Sequence, residues 1–198
     1  MKIYDASGGG YGAKVDANKR LHTEAVERSQ LFESVLLGEA FNFNTGTITL
    51  TSANESAVGY FEYLGDAPFV ITEILFIIGA TTGGSGNGTA KIYRNPTGGT
   101  IVSGAAAIEI AANRDFSSSR TVSGNMYKGA EGNTITGGTV FADSSRSSFG
   151  TVISFDAAPV VIRKGNALGC SWKPPAGNTS QTIKIAATGY VLGSDITG

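Results

Sequence analysis

The chain has 198 residues, of which 28 are Gly and 16% are charged, and its net charge is −1. A chain of this length buries about 70% of its unfolded surface in a single core, and a hydrophobic content of 41% excludes wholesale disorder. The near-neutral charge lacks the basic footprint of a nucleic-acid binder, the single cysteine, Cys170, excludes a disulfide framework, and no apolar run reaches the ~20 residues of a membrane-spanning helix.

Residues 1–13 are Gly-rich and show no periodic pattern, as in a flexible or partner-ordered terminus. They lack the apolar core of a signal peptide, which predicts a soluble protein made in the cytoplasm and not exported by that route. Residues 14–37 are the one candidate helix. Leu21, Ala25, Phe32 and Leu36 could line one face, Ser29 interrupts it, and Gly38 suits its end. An extended arm along a neighbouring subunit fits the same residues, and the sequence leaves the two open. Lys14, Lys19, Arg20 and Arg28 alternate with Asp16, Glu24 and Glu27, which reads as a solvated mixed-charge segment.

From residue 40 the period becomes two. Phe41, Phe43, Ile48 and Leu50 alternate with polar residues around Thr45-Gly46, which predicts a hairpin. A strand follows over residues 58–63. Residues 69–78 are rich in β-branched side chains and read as a central strand buried on both faces. TTGGSGNGT at 81–89 reads as a surface loop. Ala90–Arg94 reads as a strand stopped at Asn95-Pro96, because Pro96 cannot donate to a ladder. Short strands then recur at 100–102, 108–110, 121–126, 139–141, 151–155, 160–162, 168–172 and 182–192. Turn signals separate them at intervals of roughly 8–12 residues, the spacing of an all-β sandwich. The predicted fold is an all-β, antiparallel, jelly-roll-like β-sandwich of about ten short strands over residues 38–198. Residues 1–37 form an N-terminal arm or short helix before it.

Candidate chemistry is sparse. His22 is the single histidine, so any Ser-His-Asp or Cys-His constellation must use it. It lies beside Lys19 and Arg20 in the arm and reads as an exposed side chain. One His and one Cys leave too few of the usual ligands for a zinc site. Cys170, in Leu168–Trp172, reads as a buried small hydrophobe. Glu73 interrupts the apolar strand and reads as an interface, paired or edge residue. The Gly-rich runs at 8–12 and 83–88 lack phosphate-loop and dinucleotide-loop spacing. Asn54, Asn87 and Asn178 begin chance glycosylation sequons. No catalytic residue, cofactor or metal ligand is assigned.

Three segments carry a resemblance. They are Ala13–Asp16 with Arg20–Thr23, then Asn95–Thr100 with Asn113–Ser119, and then Tyr127–Thr139. In this order they resemble structural proteins of tailed bacteriophages, over most of the chain from residue 13 to about 140. The resemblance implies a β-sandwich module that decorates a capsid or forms part of a head or tail fibre, as a homo-oligomer and frequently a trimer. It implies a virion location after synthesis in the host cytoplasm, and the major capsid protein or other virion proteins as partners. It implies no enzyme activity. On that expectation residues 1–37 dock on the partner, with Val15, Arg20, Leu21 and Val26 at the interface. The alternative is a receptor- or glycan-binding fibre or tail module using Tyr93, Tyr127 and Trp172.

Overall fold

The computed structural model describes residues 29–103, 106–107, 112–147, 151–155 and 159–192. It is the predicted all-β antiparallel sandwich. The strands are β1 (Ala40–Asn44), β2 (Ile48–Leu50), β3 (Ser56–Tyr63), β4 (Phe69–Thr82), β5 (Asn87–Arg94), β6 (Ala106–Ala107), β7 (Ala112–Asn113), β8 (Gly124–Lys128), β9 (Thr139–Ser147), β10 (Thr151–Phe155), β11 (Val160–Ile162), β12 (Ala167–Lys173) and β13 (Ser180–Val191). Two short helices join them, α1 (Gln30–Leu36) and α2 (Thr100–Ser103). One sheet runs β10-β4-β13-β1-β7, with β11 also on β4 and β2 also on β13. The other runs β6-β8-β3-β12-β5-β9.

The facing sheets bury Phe41, Leu50, Phe69, Ile74 and Phe76 against Val58, Ile92 and Trp172 in one continuous core. Each such side chain contributes about 1.5–3 kcal/mol on leaving water. Trp172 Nε1 donates to Gln181 Oε1 at 2.9 Å. That bond satisfies a buried donor and ties the two sheets together.

The predicted hairpin at Thr45-Gly46 is not formed. β1 and β2 both pair with β13 and run on in one direction. Asn44 faces Ala186 and Ile48 faces Ile183, so residues 45–47 oppose only residues 184–185, as in a bulge. Thr45 replaces the missing ladder bonds. Its amide donates to the Ile185 carbonyl at 3.0 Å, and its Oγ1 accepts from the Ile185 amide at 2.9 Å. Gly46, at φ +66, takes the left-handed backbone that lets the strand resume.

Other boundaries move for local reasons. Residues 81–89 are loop only over 83–86, because β4 runs to Thr82 and β5 begins at Asn87. The strand predicted at 100–102 is the helical turn α2, which buries Ile101 completely. Strand 121–126 starts later, at Gly124, whereas β9 runs well past the predicted 141. The strand predicted at 108–110 lies outside the described residues. β4 is central but not buried on both faces. Ile74, Phe76 and Ile78 face the core, while Leu75 and Ile77 on the outer face are half-buried.

Of the predicted arm, residues 30–36 are helical. Ser29 caps the helix, its Oγ accepting from the Phe32 amide at 3.2 Å. Gly38 ends it at φ +67, with its amide on the Val35 carbonyl and the Glu39 amide on the Ser34 carbonyl, the paired bonds of a Schellman cap. Leu31 and Val35 pack on Ala40, Val70 and Tyr190, so α1 covers one end of the outer face of the seven-stranded sheet.

Candidate interaction surface

The predicted interface residues Val15, Arg20, Leu21 and Val26 lie outside the described residues, as does His22. Cys170 is in the core, and burial pushes its thiol up to about 12, which leaves it protonated and unreactive at neutral pH. Glu73 sits half-buried beside a register shift where β4 meets Thr188 and Gly189 of β13. Asn178 is no glycan acceptor. It is buried, its amide nitrogen donates to the Leu50 and Ser52 carbonyls at 3.0 and 3.1 Å, and its carbonyl accepts from Thr81 Oγ1 at 2.6 Å. The aromatics named for a sugar platform do not make one. Trp172 is wholly inside, Tyr127 stacks on buried Tyr60 at 5.8 Å, and the Tyr93 hydroxyl is held by Glu55.

Two loops cover the outer face of the six-stranded sheet. The 95–103 and 129–138 segments are zipped by a bridge between Gly98 and Thr136. Thr134 and Thr100 exchange bonds of 3.1 and 2.9 Å through their amides and hydroxyls. Ile101 and Ile135 pack beneath them against Ala57, Tyr60 and Ala167. The two segments act as a lid over a second small core. Next to the lid, the Glu55 carboxylate accepts from Lys91 Nζ at 2.7 Å, Tyr93 hydroxyl at 2.9 Å and Ser171 Oγ at 2.6 Å. Partial burial pushes the carboxyl up, but the bonds from Lys91, Ser171 and Tyr93 outweigh it and hold Glu55 below the ordinary carboxylate value. Every oxygen is engaged by a fixed neighbour, which suits a structural clasp.

The exposed features lie elsewhere. Among the described residues nine large apolar side chains are exposed, and four of them, Val140, Phe141, Val152 and Val161, sit on β9, β10 and β11. Those strands form one margin of the sandwich, where β9 ends the six-stranded sheet and β10 and β11 end the other. Between them lies a groove of about 520 Å³, floored by Ile92, Leu168 and Ile162 and walled by Phe141, Pro159 and Val161. Arg94 and Arg163 stand on its rim, exposed, and among the described residues neither has an ion-pair partner. A groove of this size, mostly apolar with a few polar groups, has the general form of a binding site.

At the opposite margin, the turn after β7 carries Phe116, which is 98% exposed. The turn is braced. Asp115 Oδ1 accepts from the Ser117 amide at 2.9 Å and hydroxyl at 2.6 Å, and the Asp115 amide donates to Asn113 Oδ1 at 2.9 Å. Asn113 Nδ2 donates to the Gly38 carbonyl at 2.8 Å, and Arg120 pairs with Glu39. At the end of α1, Leu36 and the capping Leu37 also point outward, more than half exposed.

Sequence reasoning did not single out this surface. A signal was present in Val140-Phe141 and Val160-Val161-Ile162, since consecutive apolar residues in a strand put alternate side chains on opposite faces. In β11 Val161 accordingly faces out and Ile162 in, whereas a register shift in β9 leaves both Val140 and Phe141 exposed. Among the described residues no group of three or more His, Cys, Asp or Glu could hold a metal ion, and no helix is long and apolar enough to cross a membrane.

No family model matches the chain, and no curated protein matches it. Among solved structures, a chain from the T=1 particles derived from infectious bursal virus overlaps 79% of this chain and 41% of its own length, at 10% identity and a TM-score of 0.18. An overlap that loose carries no weight for fold or function.

Proposed function

We propose that this protein is a non-enzymatic structural component of a tailed-phage virion, with a capsid decoration or cement role that bridges major capsid subunits. The observation that carries the reading is the apolar margin formed by β9, β10 and β11, where Phe141 and Val161 are each more than half exposed beside a 520 Å³ groove. Contiguous exposed apolar surface of this kind marks protein contact sites. The resemblance of the 95–100, 113–119 and 127–139 segments to phage structural proteins supports the particle as the setting. Residues 1–37 dock on the capsid protein, with Val15, Arg20, Leu21 and Val26 joined by the outward Leu36 and Leu37 at the end of α1. The protein is made in the host cytoplasm, ends in the virion and associates with its own copies, a trimer being the expected form. With a net charge of −1, docking rests on apolar burial and depends weakly on salt.

Cosedimentation of the full chain with expanded, empty phage heads tests this. Saturable pelleting with the heads, and a higher melting temperature of the decorated heads, are expected. Protein that stays in the supernatant and leaves head stability unchanged would overturn the reading. Binding to a glycan array without binding to heads would favour the receptor-binding alternative.

A further inference from the structure

The apolar groove and the Phe116 turn lie at opposite ends of the same sheet. The strand order runs from β10 and β11 at one margin to β7 at the other, and Phe116 follows β7 by three residues. A ring that is 98% exposed at the tip of a turn with bonds on both flanks is held out from the body. It therefore loses little further freedom when it binds. The groove is apolar at its floor, and about 150 Å³ is enough to hold a benzene ring. At about 520 Å³ it accepts a phenylalanine ring and the neighbouring turn residues.

Charge completes the match. Arg94 and Arg163 on the groove rim lack acidic partners among the described residues. The residue next to Phe116 is Asp115, which the Ser117 bonds keep in the ionised form. An inserted Phe116 brings that carboxylate to the rim.

We propose that Phe116 of one copy inserts into the β9–β11 groove of the next, with Asp115 meeting Arg94 and Arg163, so that copies join head to tail. This names the partner of the margin described above and so rests on that reading. A contact between two different patches is heterologous. It closes into a ring if the rotation allows, and otherwise continues as a filament.

Three full-length proteins test it by mass in solution: wild type, Phe116→Ser and Phe141→Asp. Both substitutions are at exposed positions, so unchanged circular dichroism and melting temperature confirm that each variant is folded. The expected result is an oligomer for wild type and a 20.3 kDa monomer for each variant. An equimolar mixture of the variants should then form a dimer and stop there. One copy retains a sound groove and the other a sound Phe116, so a single joint can form. Persistent oligomers of Phe116→Ser, or a mixture that stays monomeric, would overturn the inference. A wild type that is monomeric at all concentrations would do so too. If that monomer still pellets with heads, the virion role stands and only the head-to-tail joint falls.

Discussion

Replacing Gly59 with Ala should make the protein more stable, which is unusual for a substitution in a packed core. Gly59 lies on β3 and lines an apolar cavity of about 50 Å³ shared with Phe43, Met126, Cys170 and Ile185. A Cβ at this position would stand 3.6 Å from Thr45 Cγ2, 3.7 Å from Ile185 Cγ1 and 3.8 Å from Cys170 Cβ. All three are ordinary contact distances, so the methyl enters without displacing a neighbour. Burial of one methyl contributes about 0.8 kcal/mol. Removing the backbone freedom of Gly from the unfolded chain adds about 0.4–1 kcal/mol. The sum is about 1–2 kcal/mol, or a rise in melting temperature of about 2–8 °C for a domain of this size. Thermal and urea unfolding of Gly59→Ala beside wild type measure it. Gly129→Ala is the matched control with the opposite sign. Its Cβ would fall far inside van der Waals contact with the Ala57 carbonyl oxygen and force the backbone apart. A lower melting temperature for Gly59→Ala would show that the cavity is not available to a methyl group and would refute the packing described here.

Three further outcomes are expected. Glu55→Ala strands the buried Ser171 hydroxyl together with Tyr93 and Lys91, and should cost about 2 kcal/mol in urea unfolding at neutral pH. Because the folded Glu55 carboxyl lies below its ordinary value, its ionic contribution is full above the unfolded value and is lost as pH falls through the folded one. The gap between wild type and variant should therefore narrow on acidification, and a gap that widens would contradict the network. Asn178→Ala removes three bonds that tie the loop after β2 to β4 and the start of β13, and should cost about 2–3 kcal/mol by the same measurement. The Cys170 thiol, buried and pushed up to about 12, should not react with a disulfide reagent at pH 8 until denaturant is added, when one equivalent titrates.

The fold class was legible because sheet pairing imposes a strict period of two and turns demand Gly, Asn and Pro. β11 was placed to the residue, since an apolar triplet between Pro159 and Arg163 admits little else. The misplaced elements are those where a side chain takes over a backbone task. Thr45-Gly46 has the composition of a hairpin turn, yet the Thr45 hydroxyl supplies the acceptor that the Ile185 amide needs, and the strand continues. Thr100–Val102 reads as a β-branched strand. Its helical turn is fixed by bonds to Thr134, a residue 34 positions away that no local pattern reveals. The interaction surface was hidden for a related reason. Phe116 looks like any core residue in sequence, and the apolar runs around Phe141 and Val161 do not say where in the fold they lie; the sheet order places them at two opposite margins.

The central position of β13 has a consequence for synthesis. This strand lies between β4 on one side and β1 and β2 on the other, and the Thr45–Ile185 bonds span 140 positions. Until residues 180–191 have left the ribosome, the seven-stranded sheet is in three pieces, β4 with β10 and β11, β1 with β7, and β2 alone. Strands β1 and β4 therefore cannot complete their ladders until a strand far along the chain has been added. The helix that rests on Tyr190 lacks part of its platform before then. The seven-stranded sheet is therefore closed by the pairing most distant in sequence, and its two pairing edges stay open until that strand arrives.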